Sequence, residues 1–255
     1  RQEQTVLTLA ISRQTQMNTI NKIATRFLLG VAAVAFTATS ALSAPITIPA
    51  GLNPGDQYRL AFVTTTTRDG TSSNIANYNE FVSAAANSQT ELTALGTRWM
   101  AIVSTFTIDA RDNTGTNPSS TGVPIYLLDG NKIADNNADL WDGNLDAALN
   151  ITETGAPTVL ADDDVWTGST QFGLAFAGAR LGEGVGNVLV GSSNSTNSLW
   201  ITANVESEFS QNSLYGISGV LTVTAVTTVP EPGALGVLAL GLLGLGFARR
   251  KKQAA

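Results

Sequence analysis

The 255-residue chain has no cysteine and no histidine, and only 14 of its residues are lysine or arginine. Without cysteine there are no disulfide staples, so burial and backbone pairing must hold any exported domain together. The double absence also removes whole classes of chemistry. Ser-His-Asp and Cys-His nucleophilic sites are excluded, and so are His- or Cys-ligated zinc, iron and copper centres. The common general bases that remain are carboxylates, four tyrosines and, between residues 44 and 228, the single lysine Lys132. Cations are scarce where a domain would be. Residues 44–228 hold 18 Asp and Glu against six Arg and Lys, a net charge of −12, whereas the whole chain is −6. Such a surface repels nucleic acid and anionic lipid and tolerates cations or neutral polysaccharide.

The remaining basic residues sit mostly at the two ends. Met17 opens a segment with Lys22 and Arg26, an apolar core from Phe27 to Phe36, and small residues up to Ala44. This is the order of a secretory signal peptide, with cleavage between Ser43 and Ala44. Residues 1–16 precede that methionine and read as an over-extended start. At the other end, Val229-Pro230-Glu231-Pro232 leads into an apolar, glycine-rich run from Gly233 to Ala248, then Arg249-Arg250-Lys251-Lys252. Roughly 16 helical residues span about 24 Å, short of the ~30 Å hydrocarbon core. The four cations can snorkel to the headgroups and should stay cytoplasmic, which places the preceding chain outside. Pro230 and Pro232 forbid helix across the motif, so a membrane helix starts only after Pro232.

These residues 229–255 resemble a PEP-CTERM sorting signal, a device of exported proteins in Gram-negative bacteria that make exopolysaccharide. The resemblance implies an exosortase-type processing enzyme as partner, which recognises Val229–Pro232 and removes the tail. It further implies transient anchoring in the inner membrane, followed by release to the cell surface or extracellular matrix.

Between the signals, residues 44–228 read as one acidic domain. Gln57–Thr64 alternates as a strand, and Ile75, Tyr78, Val82 and Ala85 recur at helical spacing up to Asn87. Asn74, or Asn77 with Glu80 three residues on, caps that helix. Trp99–Ser104 is a second strand. Ile125–Leu128, Asp129-Gly130 and Lys132–Ala134 form a hairpin signal of the type I′ kind. Short apolar pieces follow at Ile151, Val165-Trp166 and Leu199–Ile201. A long closing strand is expected over Leu214–Val226. A strand at each end, one clear helix and loops between them predict an α+β class.

The stretch from Trp99 to Gly168, with Pro124–Gly130, Ala134–Gly143, Leu145-Asp146, Glu153 and Val165–Gly168, is similar to a bacterial extracellular family of the endostatin-like, C-type-lectin-like fold. The resemblance implies paired terminal strands with irregular loops projecting from one side. The lectin disulfides and the Glu-Pro-Asn and Trp-Asn-Asp signatures are missing, so sugar binding does not follow from the fold.

Asp135, Asn137, Asp139, Asp142 and Asp146, with Asp129 and Glu153 nearby, offer oxygens at the short spacings that Ca²⁺ needs. Leu140 stands where an EF-hand requires glycine, and Asp146 where it requires Glu. The competing reading is a turn after one helical turn, with Asp side chains bonded to local amides. Asp162–Asp164 reads as a solvated run. Trp99, Trp141, Trp166 and Trp200 either stack on sugar rings or pin loops to the core. A Ser–Lys dyad on Lys132 and a two-carboxylate glycosidase, with carboxyls about 5–10 Å apart, complete the catalytic options. The expected function is a non-catalytic binding or structural module associated with exopolysaccharide. The alternatives are a calcium-dependent carbohydrate-binding module and a carboxylate glycosidase.

Overall fold

The computed structural model describes residues 44–158 and 163–225. The signal segment to Ser43, the Val229–Pro232 motif, the apolar run and the Arg249–Lys252 cluster lie outside the described residues. Within them, no helix is long and apolar enough to cross a membrane. What is described is a mixed α+β domain, mostly sheet and rich in loops.

Its centre is two strands from opposite ends of the domain. β1 (Gln57–Val63) pairs antiparallel with β8 (Ser213–Ser218), in the register Ala61↔Ile217, Phe62↔Gly216 and Val63↔Tyr215. β9 (Leu221–Thr222) extends the pairing to Tyr58 and Gln57. The expected pairing of the terminal strands is therefore observed. The long closing strand is instead two pieces. Ser218 turns its hydroxyl to the Leu60 amide at 2.9 Å, and Gly219 N leaves for Arg98 O at 2.8 Å, which ends β8.

Both faces of β1 and β8 are buried. One side carries α1 (Ile75–Asn87), with Tyr78 and Val82 fully covered. Asn74 caps it, its Oδ1 accepting from Ala76 N at 3.0 Å, and Asn77 lies inside the helix. α2 (Thr90–Thr93) follows and leads into β2 (Trp99–Ala101), which pairs with β8. β2 is shorter than expected because the chain changes partners: Ile102 N bonds Tyr215 O, while Ser104 N bonds Thr167 O at 2.8 Å.

On the far side of β1, β3 (Ile125–Leu127) pairs parallel with it and forms a hairpin with β4 (Lys132–Ala134). The Asp-Gly turn is not of the I′ type. Only Gly130 takes a positive φ, 90°, while Gly130 N bonds Leu127 O and Leu127 N bonds Asn131 O. That is a three-residue loop with glycine at the left-handed position. β5 (Asp164–Trp166), β6 (Asn187–Ser192) and β7 (Asn204–Ser207) complete the sheet, in the order β4-β3-β1-β8-β5-β6-β7.

All four tryptophans are buried, between 0 and 3% exposed, so they pin loops and offer no surface platform. Trp166 Nε1 donates to Arg68 O at 2.7 Å, and Trp141 Nε1 to Thr116 O at 3.0 Å. Trp141, Trp200 and Tyr215 then pack in sequence at 5.8 Å centroid spacing, with their planes tilted by 34° and 50°. The 3₁₀ turn Ser198–Trp200 that carries Trp200 lies directly on β6: a Cβ on Gly191 would sit 2.0 Å from Trp200 O.

Candidate functional site

The acidic run singled out by its spacing folds into turns. Asn136 caps the single helical turn Asn137–Leu140, accepting from Ala138 N and Asp139 N. Asp139 Oδ2 accepts from Asp135 N at 2.6 Å, and Asp142 Oδ1 accepts from Asn144 N at 2.8 Å ahead of the reversal at Gly143. Asp129 does the same for Asn131 N at 3.0 Å. Asp135 and Asp146 do converge, but on Lys132: its Nζ pairs with Asp135 and lies 3.4 Å from Asp146 Oδ2. The hydrogen bond that Lys132 donates to Asp135, with the charges of both carboxylates, raises the Lys132 pKa. Among the described residues, no three Asp or Glu side chains are grouped so as to hold a metal ion.

Glu153 does not join this cluster. It is 3% exposed and accepts from both the amide and the hydroxyl of Thr65. Asp163 accepts from the Ser192 hydroxyl. Asn150 and Asn194, each opening an Asn-x-Thr triplet, meet at 3.3 Å. Ala44, the first described residue, is exposed.

Clefts open on the surface of the described domain, and two of them bear on function. The larger of them, about 590 Å³, lies between α1 and β2, and two of its polar side chains, Asn79 and Ser83, are engaged by the backbone of β2. Asn79 Oδ1 accepts from Ala101 N at 2.9 Å and Ser83 Oγ donates to Trp99 O at 3.0 Å, which closes the open edge of β2.

The second, about 500 Å³, is built by two loops. Residues 104–113 and 168–183 are zippered together at buried positions. Ser104 Oγ meets Ser169 Oγ at 2.7 Å and accepts from Ala110 N at 2.8 Å. Leu181 N reaches Ser104 O, and Thr105 bridges Leu181. Asp109 Oδ1 accepts from Ala175 N at 2.7 Å, beside the single helical turn α3 (Ala110–Asn113). Phe106, Thr107, Asp109, Asp112, Leu174 and Arg180 line the space between them.

Phe106 is 62% exposed. The Arg180 guanidinium lies over one face of its ring, 4.4 Å from the centroid. Arg180 is itself locked. Its Nε and Nη2 reach Glu183 Oε2 and Oε1 at 3.1 and 2.5 Å, and Glu183 Oε2 also accepts from Gly178 N at 2.9 Å. These bonds, led by that from Arg180, hold the Glu183 pKa down to about 2. The result is a fixed aromatic surface with carboxylates beside it and its one cation neutralised. In the sequence, the only trace of it was an aromatic set between two threonines, outside any apolar period.

Beyond the domain, one comparison bears on the chain. Residues 228–252 match the PEP-CTERM protein-sorting motif. This agrees with the sorting signal expected from Val229–Pro232, the apolar run and Arg249–Lys252. The motif implies an exported protein that exosortase processes at the membrane. No curated protein matches the chain.

Proposed function

We propose that this chain is a surface or matrix protein whose 44–228 domain is a non-catalytic binding module, associated with exopolysaccharide and delivered by its C-terminal signal. The observation that carries the reading is the sorting motif over residues 228–252. In this reading the N-terminal segment directs export, the apolar run holds the chain briefly in the inner membrane with Arg249–Lys252 inside, and an exosortase recognises Val229–Pro232 and removes the tail. The extended strip that Pro230 and Pro232 impose is what a processing enzyme needs to reach the backbone.

The domain's chemistry supports binding over catalysis. It has neither His nor Cys, and the carboxylates of the acidic run are spent on their own turns or on Lys132. Pairing of the first and last strands supports the C-type-lectin-like reading of the fold.

The test is Glu231→Ala in the native host, followed by mass measurement of the mature protein and fractionation. Loss of tail removal with normal loss of the N-terminal segment is the expected result. A variant with the same mature mass as the parent rejects the role of the motif. Intact full-length chain in the cytosol rejects export altogether.

A further inference from the structure

We propose that the Phe106 cleft binds a neutral hexose polymer without a metal ion; the inference rests on the binding-module reading and gives that module its contact surface. Other phenylalanines of the domain are exposed too, Phe209 among them; what sets Phe106 apart is a guanidinium fixed over its ring and two oriented carboxylates in the same cleft. Here one ring face is taken by Arg180 and the residue remains 62% exposed, which leaves the opposite face bare. The axial C–H face of a pyranose is an apolar surface of matching size. Its equatorial hydroxyls then fall at the edge of the ring, where they need acceptors. Asp109 and Asp112 supply them. Asp109 uses Oδ1 on Ala175 N, and Asp112 uses Oδ1 on Asn117 Nδ2 at 2.7 Å, so each carboxylate is oriented and keeps its second oxygen. Hydrogen bonds to an ionised carboxylate are the stronger kind.

The charge balance selects among polysaccharides. Arg180 is consumed by Glu183, so an acidic sugar finds no free cation in the cleft and approaches a domain of net charge −12. A neutral chain meets neither penalty. The geometry also lowers the cost of association. The guanidinium and both loop backbones are held by hydrogen bonds, and the guanidinium in turn covers one face of the ring, so little motion remains to be lost on binding. The cleft is open at the surface, which lets a polymer pass through instead of requiring a chain end.

The experiment is affinity electrophoresis of the full chain in mild detergent, in native gels containing dextran, galactomannan or hydroxyethylcellulose, with alginate and glycol chitosan as charged comparisons. Retardation by at least one neutral polymer, unchanged by EDTA, is expected. Phe106→Ala should weaken it about tenfold, which corresponds to about 1.4 kcal/mol. Asp112→Asn should weaken it about threefold to tenfold. Phe209→Ala, at another exposed ring, should leave it unaltered. Equal retardation of Phe106→Ala and the parent overturns the cleft and leaves the binding module standing. Retardation that EDTA abolishes, or that alginate or glycol chitosan alone produces, overturns the ligand class. No retardation by any polymer overturns the cleft and the polysaccharide association together, while delivery by the C-terminal signal is tested separately through Glu231.

Discussion

Arg59 is 7% exposed in the middle of the sheet and pairs with no carboxylate among the described residues. Its charge is spread over carbonyls instead. Nη1 donates to Ser218 O at 2.8 Å and Thr114 O at 2.9 Å, and Nη2 to Gly115 O at 3.3 Å, while Nε has no partner. Burial accordingly lowers its pKa. These bonds join β1, the end of β8 and the turn that follows α3, so the residue fixes the base of the loop that carries Asp109 and Asp112. Arg59→Met keeps the apolar stem and removes the donors. Two well-formed bonds from a charged donor are worth ~1.5–3 kcal/mol each, and the third adds little. Returning an incompletely paired guanidinium to water offsets about 1–3 kcal/mol of that. The net expectation is a loss of about 3 kcal/mol. For a domain of this size that lowers Tm by ~6–12 °C. Urea denaturation of parent and variant, read by the fluorescence of the buried tryptophans, measures it. A variant within about 0.5 kcal/mol of the parent would show that the three carbonyls find other donors, and the assigned role of Arg59 would fail.

Glu183 gives a prediction in pH. Its carboxyl titrates near 2 in the folded domain, below its usual 4.5, so the Arg180–Glu183 pair contributes stability above pH 4.5 and loses it as pH falls toward 2. The Tm difference between parent and Glu183→Gln should therefore be steady near neutrality, shrink below pH 4.5 and close near pH 2. A difference that is constant through this window removes Glu183 as the titrating group. Calcium at millimolar concentration is expected to leave Tm unchanged, because Lys132 already occupies the space between Asp135 and Asp146. A rise of several degrees would place the ion there and restore the calcium-dependent alternative.

Periodicity located the elements that are long or capped. α1 is marked by Tyr78 and Val82 on one face and by Asn74 ahead of it, and each of these signals is local. The alternation of β1 marks it as a strand but does not show that both of its faces are covered. Arg59, on one of those faces, lies under the carbonyls of Thr114, Gly115 and Ser218, which leave no trace in seven residues of pattern. β6 and β7 were passed over for opposite reasons. Val188-Leu189-Val190 is too short an apolar run to stand out in glycine- and serine-rich chain, and Asn204–Ser207 has almost nothing buried, being a strand only because β6 offers it an edge.

The acidic run shows why spacing alone does not decide between a cation site and a set of turns at Asp135, Asp139, Asp142 and Asp146. Alternating carboxylates suit a cation and suit tight turns equally well, and what separates the two is where each oxygen is spent. Asp139 and Asp142 are spent on amides within four residues of themselves, which the Asp-Gly step already favoured. The cleft is the reverse case. Phe106 and Arg180 are 74 positions apart, and what brings them together is a buried contact between two serines, Ser104 and Ser169, that no local pattern distinguishes from loop. In a chain without disulfides, such side-chain and backbone hydrogen bonds at 0% exposure do the work of a cross-link, because an unpaired polar group at those positions costs about 1–3 kcal/mol. The loops that hold the exposed aromatic ring are therefore among the most constrained parts of the domain, and rigidity at Ser104 and Ser169 is what allows a phenylalanine to stand in solvent above them.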